Sequence, residues 1–164
     1  MTDKKSIVFL DRDGVINKKP LEHEYVKNIN EFFFNPGIFK VLKFLRQKGF
    51  EFIVFTNQRG IARGLMTEND LHKINQFMIE GLRRKAINLL DIFYCPHNKD
   101  SCQCRKPGPG LMLQALAKYN IDLSQSLMIG DGVSDAVFAK LFKLKFFLIN
   151  SNRPEEFLKH YANE

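Results

Sequence analysis

In the segment SIVFLDRDGV, residues 6–15, a mostly apolar run leads directly into two acids. The apolar run predicts a buried β-strand. Side chains of an extended chain alternate between faces, so Asp11 and Asp13 start on one side and Arg12 on the other. Paired carboxylates repel one another unless a proton or a cation lies between them, and their hard oxygen atoms suit Mg²⁺. Because Asp and Gly also mark turns after strands, the pattern needs support from the rest of the chain.

Apolar runs alternate with helical segments along the whole chain. Strands are predicted near residues 6–10, 50–55, 91–95, 126–130 and 145–149. Strands separated by helices favour a parallel sheet with helices on both faces, and right-handed crossovers leave few topologies. We therefore predict an α/β fold, a doubly wound, Rossmann-like parallel sheet of about five strands. No segment is long enough for a separate cap domain, so we predict a single domain over residues 1–164.

Residues with known preferences for helix ends mark the predicted helices. The apolar spacing after Pro36 predicts a first helix that ends at Gly49. Thr67 with Asp70 three residues later is typical of a capping box at the start of a second helix. Further helices are predicted at 109–119, 134–143 and 154–161. The long connections, about residues 14–35 and 56–66, are expected to form the rim of a site.

Composition limits the classes of protein that the chain can represent. At 164 residues, one domain buries about 68 to 70% of its unfolded surface, which is enough for a core without disulfides. We find no apolar run of membrane-spanning length and no secretory signal at the start, so we expect a cytoplasmic protein without a membrane partner.

The net charge of +7 is compatible with binding to any polyanion, and it could equally serve only to keep the protein in solution. Basic residues are not interleaved with aromatic ones, so we expect no nucleic-acid partner. With no large exposed apolar segment, we expect a monomer.

Polar residues follow three further segments and repeat the design of the first strand. Thr56 and Asn57 come after the second predicted strand, and Asp131 and Asp135 follow the fourth. Lys106 lies in the basic segment CRKP, residues 104–107. In an open parallel sheet, ligands bind outside the carboxyl ends of the strands. We therefore expect these polar groups to converge there with the two acids of the first strand.

The four segments, in this order, resemble the motifs of the haloacid dehalogenase-like phosphatases. The strings DRDGVIN, TNQRGIARG, CPH and CQCRKPGPG resemble one small branch of that family. This branch contains the D-glycero-D-manno-heptose 1,7-bisphosphate phosphatases and the histidinol-phosphate phosphatases, and the resemblance spans nearly the whole chain.

The resemblance implies a role for each motif residue. Asp11 is the expected nucleophile, forming an aspartyl phosphate, and Asp13 is the expected general acid and base. Mg²⁺ is expected on the Asp11 carboxylate, the Asp13 backbone carbonyl and Asp131, with Asp135 supporting. Thr56 and Lys106 are expected to bind the transferring phosphoryl group.

The cysteines form a second group within the segment 95–107. Cys95, His97, Cys102 and Cys104 follow the spacing C-x-H-x4-C-x-C. Zn²⁺ prefers tetrahedral nitrogen and sulfur ligands, and four protein ligands leave no position for a reactive water. We therefore predict a structural zinc loop, against the alternative of free thiols beside an unrelated histidine. The zinc-loop phosphatases resemble the chain in these positions, although many have a longer gap between His97 and Cys102.

The substrate is predicted from the resemblance alone. It implies sugar-phosphate contacts from two loops and from the basic pair after the last cysteine: Glu22, His23, Glu24, Tyr25, Thr56, Asn57, Gln58, Arg59, Arg105 and Lys106. A second phosphate needs a second cationic site, for which Arg105 with Arg59 or Arg63 is a candidate. Gly132 stands where the heptose branch often has Lys, and Arg59 is hypothesised to compensate.

The resemblance favours a Mg²⁺-dependent phosphatase acting on the 7-phosphate of the heptose bisphosphate. A histidinol-phosphate phosphatase is the second reading, and a polynucleotide 3′-phosphatase is a third. A zinc-stabilised binding module without activity is the non-enzyme alternative, but it leaves the acids and Lys106 without a purpose.

Overall fold

The five apolar runs form one parallel sheet in the computed structural model, which describes residues 4–162. The strands are β1 Ile7–Leu10, β2 Glu51–Asn57, β3 Leu89–Cys95, β4 Leu127–Gly130 and β5 Lys145–Leu148. Their spatial order is β3-β2-β1-β4-β5, and each neighbouring pair runs parallel. The doubly wound α/β fold predicted from the sequence is confirmed.

Five α-helices connect and flank the strands. They are α1 Ile38–Gln47, α2 Glu68–Arg83, α3 Gly110–Lys118, α4 Val133–Leu141 and α5 Phe157–Ala162. The predicted capping box closes the start of α2, because the Thr67 hydroxyl accepts from the Asp70 N–H at 3.1 Å and the Asp70 carboxylate accepts from the Thr67 N–H at 2.9 Å. The last predicted helix begins instead with a 3-10 turn, Pro154–Glu156.

Two apolar layers hold the sheet between its helices. One layer packs against α1, α2 and α5, and the other packs against α3 and α4. Phenylalanine fills much of the second layer: the rings of Phe9 and Phe55 stack with centroids 4.9 Å apart, and Phe138 meets Phe55 edge-on at 5.6 Å. Burying each such ring stabilises the fold by about 1.5–3 kcal/mol. Because β1 lies in the middle of the sheet and is buried on both faces, the residues that follow it are held in a fixed place.

The strand order reverses beside β1, since the chain continues from β1 to β2 and β3 on one side and then to β4 and β5 on the other. In doubly wound sheets, ligands bind at such a switch point, outside the carboxyl ends of the strands. Among residues 4–162, every named strand belongs to this one sheet. None of the described helices combines the length and the apolar character needed to cross a membrane.

Candidate active site

Asp11 lies directly after β1, at the switch point of the sheet. Its N–H donates to the Ile129 carbonyl at 3.1 Å, which extends the pairing of β1 with β4 by one residue. The turn that follows contains Gly14 at φ +91°, where a Cβ atom would lie 2.0 Å from Asp131 Oδ2. Glycine therefore allows the end of β4 to bring Asp131 against the turn after β1.

Three carboxylates converge at this point. Asp11, Asp131 and Asp135 each offer an oxygen atom, and these atoms lie within 4.8 Å of one another. The close approach needs a glycine at the end of β4, because a Cβ atom on Gly130 would lie 2.3 Å from the Cβ of Asp135. An all-oxygen, anionic donor set of this kind suits a hard divalent cation such as Mg²⁺. The carboxylate of Asp13 does not belong to this group.

A buried lysine lies beside the acids. Lys106 Nζ is 3.0 Å from Asp11 Oδ1 and 2.7 Å from Asp135 Oδ1, and it donates to the Phe55 carbonyl at 2.7 Å. Its side chain is only 2% exposed. Asn57, the last residue of β2, positions the backbone of Lys106 by accepting from its N–H at 3.0 Å and donating to its carbonyl at 3.1 Å. The end of β2 thus fixes the position of the lysine. Asp135 forms an ion pair with Lys106 and also accepts a hydrogen bond from the Asp131 N–H at 3.3 Å.

The charges of this cluster perturb one another. Burial raises the pKa of Asp11 to about 7; Lys106 opposes the rise, and the charges of Asp135, Asp13 and Asp131 add to it. Burial works against the charge of Lys106, but Asp11 and Asp135 outweigh it and raise the pKa of this lysine. Negative charge is thus in excess around Asp11. A bound cation would relieve the excess and favour the ionised carboxylate.

Asp13 points into a separate set of hydrogen-bond donors. Its Oδ1 accepts from Asn17 Nδ2 at 2.9 Å, and its Oδ2 accepts from Gln58 Nε2 at 3.0 Å. The Arg12 guanidinium contacts both oxygen atoms, at 3.0 Å and 3.1 Å through Nη2. Sequence alternation places Arg12 on the opposite side from the acids and assigns it no role, but its side chain turns back to its neighbour. Gln58 also donates to Thr56 Oγ1 at 2.8 Å, which links the end of β2 to Asp13.

A cavity of about 230 Å³ opens over these groups. Nine residues that the sequence singled out line it: Asp11, Asp13, Thr56, Asn57, Arg105, Lys106, Asp131, Gly132 and Asp135. Lys19 and Ser134 also line it and were missed by the sequence reasoning. Lys19 lies in irregular chain and matches no motif, whereas Ser134 could have been suspected from its place near the start of a helix that follows Asp131. Lys19 Nζ is 2.7 Å from Asp131 Oδ2.

The remaining residues singled out for substrate binding lie elsewhere. Glu22 and His23 have side chains 91% and 82% exposed, and Glu24 pairs with Lys27 at 3.6 Å. None of the three is among the residues lining the cavity.

The other residues predicted to contact substrate bind neighbouring protein groups instead of lining the cavity. Arg59 Nε donates to Asn98 Oδ1 at 3.0 Å, so this arginine joins the β2 loop to the cysteine loop. Arg63 lies over the ring of Tyr25, with the guanidinium carbon 5.8 Å from the ring centroid. Gln58 is fully buried and contacts Asp13 and Thr56. None of these four lines the cavity over the acids.

The cysteine group comes together as one cluster. Cys104 Sγ lies 3.1 Å from Cys95 Sγ and 3.4 Å from Cys102 Sγ, and His97 Nδ1 lies 3.2 Å from Cys104 Sγ. With Zn–S at about 2.3 Å and Zn–N at about 2.0–2.1 Å, ligands of a tetrahedral Zn²⁺ are roughly 3.5–3.8 Å apart. The contacting ligand atoms here lie 3.1–3.6 Å from one another, so a small outward movement would admit the ion. Residues 95–104 therefore could hold one Zn²⁺ between β3 and the segment that leads into Lys106.

Crowding of the thiols has electrostatic consequences. Burial raises the pKa of Cys104 to about 12, and hydrogen bonds with Cys95 and Cys102 add to the rise. Burial works against ionisation of Cys102, but the backbone N–H of Arg105 and the side chains of Cys104 and Cys95 donate to its sulfur and bring its pKa down to about 6. Three thiols this close cannot all ionise without a cation between them. The donor set therefore fits a soft or borderline metal ion.

A second cavity, of about 520 Å³, adjoins the first. Asn57, Arg105, Lys106 and Ser134 line both. Lys99 of the cysteine loop lines the second cavity, and Arg105 Nη1 is buried without a hydrogen-bond partner among the described residues. Three basic side chains, Lys99, Arg105 and Lys106, line this cavity against one acid, Asp100, and this excess of positive charge favours an anionic ligand.

The chain is similar in sequence to a known family of hydrolases and to several of its named members. The family model for haloacid dehalogenase-like hydrolases matches residues 3–142. The chain is 37% identical to the D-glycero-beta-D-manno-heptose-1,7-bisphosphate 7-phosphatase of Pasteurella multocida over 158 residues, covering 92% of this chain and 84% of the relative. It is 41% identical to the D-glycero-alpha-D-manno-heptose-1,7-bisphosphate 7-phosphatase of Photorhabdus laumondii over 141 residues, covering 81% and 75%.

A solved structure is also similar. The D,D-heptose 1,7-bisphosphate phosphatase from B. bronchiseptica, complexed with magnesium and phosphate, superposes with a TM-score of 0.82 at 31% identity, covering 94% of this chain and 86% of that one. These matches confirm the resemblance carried by the four motifs. The chain belongs to the haloacid dehalogenase-like hydrolase family.

Proposed function

We propose that the protein is a Mg²⁺-dependent phosphatase that removes the 7-phosphate of D-glycero-D-manno-heptose 1,7-bisphosphate through an aspartyl phosphate on Asp11. The observation that supports this most is the arrangement in the 230 Å³ cavity. There, Asp11 lies against a buried lysine and two further acids, while Asp13 is held apart from them by its own donors. The relatives named above are phosphatases of this substrate.

In the first half-reaction, a carboxylate oxygen of Asp11 attacks phosphorus. The bond between phosphorus and the C7 oxygen breaks, and its electron pair remains on that oxygen. Asp13, in its protonated form, gives its proton to the leaving oxygen, so the sugar departs as an alcohol. The products are the aspartyl phosphate and the ionised Asp13.

In the second half-reaction, Asp13 is the base. Its carboxylate takes a proton from water, and the water oxygen forms a bond to phosphorus. The bond between phosphorus and the Asp11 oxygen breaks, which releases inorganic phosphate and restores the Asp11 carboxylate. Asp13 ends protonated and ready for the next cycle, so one carboxyl serves as acid and then as base.

Positioned cations and donors stabilise the charge on the transferring group. Lys106 lies at the nucleophile, and Thr56 and Asn57 line the cavity at the end of β2. Asp11, Asp131 and the Asp13 backbone carbonyl would hold Mg²⁺, and Asp135 would support them through its contacts with Lys106 and the Asp131 N–H. Bound there, Mg²⁺ would neutralise the charge of the carboxylates and of the phosphoryl oxygens.

We further propose that Zn²⁺ in the cysteine cluster has a structural role. The cluster ends at Cys104, immediately before Arg105 and Lys106, which both line the catalytic cavity. Four protein ligands would hold this loop, so less conformational entropy is lost when the basic side chains bind substrate.

The second phosphate of the substrate is assigned to the adjoining cavity. Arg105 and Lys99 line it, and Arg105 reaches both cavities. We therefore propose Arg105, rather than Arg59, as the main contact for the 1-phosphate, since Arg59 donates to Asn98. A small phosphosugar as substrate fits a cytoplasmic monomer without nucleic-acid or membrane partners, as we expect from the sequence.

A panel of phosphate esters tests this function. Phosphate release is measured with both anomers of the heptose bisphosphate, with histidinol phosphate and with a 3′-phosphorylated oligonucleotide, each with Mg²⁺ and with EDTA. We expect the heptose bisphosphate to give the highest kcat/KM, no turnover in EDTA, and none by Asp11→Asn. A higher kcat/KM for histidinol phosphate or for the oligonucleotide would overturn the proposed substrate.

A matched pair of arginine variants tests the second phosphate site. Arg105→Met should raise KM for the bisphosphate about 10- to 100-fold, because a charge-assisted contact of about 1.5–3 kcal/mol is lost. The same change should affect the 7-monophosphate much less. Arg59→Ala is the control; if it raises KM for the bisphosphate more than Arg105→Met does, Arg59 is the contact instead.

A further inference from the structure

Arg12 carries a buried positive charge that takes no part in the proposed reaction. Its side chain is fully buried. Burying a permanently charged guanidinium away from water is strongly unfavourable unless a partner of opposite charge compensates it. The acid that contacts it among the described residues is Asp13, the residue that follows it in the chain.

The guanidinium holds both oxygen atoms of this carboxyl. Nε donates to Asp13 Oδ1 at 3.2 Å, and Nη2 lies 3.0 Å from Oδ1 and 3.1 Å from Oδ2. On its other side, Nη1 donates to Asn75 Oδ1 of α2 at 3.4 Å. The Arg12 carbonyl also accepts from the N–H groups of Val15, Ile16 and Asn17, at 2.9–3.3 Å. Both the side chain and the backbone of Arg12 are therefore held in place.

The contacts with Arg12 restrict the positions that the Asp13 carboxyl can adopt. Asp11, Asp131 and Asp135 form a group of oxygen ligands nearby, and a free fourth carboxylate would be drawn to any cation bound there. As a metal ligand, the carboxylate of Asp13 could not give a proton to a leaving oxygen. Asn17 and Gln58 each contact one oxygen atom of this carboxyl, whereas Arg12 contacts both.

We propose that Arg12 is a positioning residue, whose buried guanidinium keeps the Asp13 carboxyl out of the metal site and directed at the leaving oxygen. The proposal rests on the role of Asp13 as general acid in the proposed function. It assigns Arg12 no contact with substrate.

The leaving group of the substrate distinguishes positioning from a merely structural role. A sugar alkoxide is a poor leaving group and needs the proton from Asp13, whereas p-nitrophenolate leaves without one. Arg12→Lys keeps the charge but removes the fork that binds both oxygen atoms. We measure kcat/KM, which reports the transfer to Asp11, for p-nitrophenyl phosphate and for the sugar phosphate that the wild type hydrolyses best.

We expect Arg12→Lys to lower kcat/KM for the sugar phosphate about 100-fold, the size of effect typical of a misplaced catalytic group, and that for p-nitrophenyl phosphate by less than about fivefold. In an Asp13→Asn background, the same substitution should no longer change the ratio of the two values, since the acid is gone. Equal losses on both esters, or an unchanged effect in the Asp13→Asn background, would overturn the proposal.

A second variant covers the case in which Arg12→Lys does not fold. Asn75→Ala removes the outer anchor and leaves Arg12 and Asp13 intact, so it should shift the ratio in the same direction by a smaller factor. No shift in the ratio would count against Arg12. Absence of turnover by the wild type with Mg²⁺ on every ester would refute the proposed function itself, which is a different result from equal losses in the variants.

Discussion

Binding of Mg²⁺ should release a proton from Asp11. Burial and the neighbouring acids raise the pKa of this carboxyl to about 7 when no cation is present. A bound cation favours the ionised form and lowers the pKa, so the proton that Asp11 carries near neutral pH must leave. With a pKa of about 7, the released amount per Mg²⁺ is about 0.9 proton at pH 6, about 0.5 at pH 7 and about 0.1 at pH 8.

Because Mg²⁺ binding and proton release from Asp11 are coupled, the metal affinity should depend on pH. Because the raised pKa belongs to an acid, protonation competes with Mg²⁺ at low pH, and binding becomes tighter as pH rises through 7. Between pH 8 and pH 6 the dissociation constant should increase about tenfold, with most of the change below pH 7.

Isothermal titration calorimetry measures both quantities. Titrations of Mg²⁺ in two buffers with different ionisation enthalpies give the number of protons released at each pH. Asp11→Asn is the control: it removes the titrating carboxyl together with one metal ligand, so Mg²⁺ should bind more weakly and the binding that remains should show no buffer dependence. A dissociation constant that is the same at pH 6 and pH 8, with no proton release in the wild type, would refute this account of Asp11.

Three further outcomes are expected. Lys19→Met should tighten Mg²⁺ binding several-fold, because its ammonium group now competes for Asp131 at 2.7 Å; calorimetry that shows weaker binding would contradict this. Gly14→Ala should remove Mg²⁺-dependent activity, because the added Cβ would lie 2.0 Å from Asp131 Oδ2. The left-handed φ at this position costs alanine roughly 1–2 kcal/mol more. Phosphate release near the wild-type rate would show that the clash does not occur. Cys102→Ser should reduce the zinc retained after dialysis and lower the Tm, and metal analysis that finds full zinc content would remove Cys102 from the ligand set.

The fold followed from local patterns in the sequence. Apolar runs separated by amphipathic segments admit few arrangements, because each strand must be buried and each crossover is right-handed. The capping box of Thr67 and Asp70 was readable for the same reason, since its partners are three residues apart. Where the sequence erred was at element ends: β3 begins at Leu89 rather than near 91, and the last helix begins at Phe157 after a 3-10 turn.

Parts of the candidate site could be predicted in the same way. Asp11, Thr56 and Asp131 follow predicted strands, and parallel strands end at one edge of the sheet. The chemistry of Cys95, His97, Cys102 and Cys104 was visible in their spacing within ten residues. In these cases the residue types and the parallel direction of the strands are sufficient, because no long-range side-chain contact has to be known.

Other contacts depend on residues far apart in the chain. Lys19 near Asp131, Asn57 on the backbone of Lys106, and Gln58 on Asp13 are pairings between separate segments, which no local pattern predicts. The substrate contacts that the resemblance implies for the loop 22–25 stay a prediction, because the side chains of Glu22 and His23 are exposed and do not line the cavity over the acids.

Local patterns along the chain were enough to predict the sheet, the acids at its edge and the composition of the cysteine cluster, because burial, chain direction and ligand type act through neighbouring residues. The resemblance had already assigned the Asp11 carboxylate to the metal, but the donors that surround the Asp13 carboxyl, Arg12 among them, were settled only when the chain folded. This arrangement depends on which donors from other segments reach each carboxylate, and their positions exist only after the sheet and helices have packed.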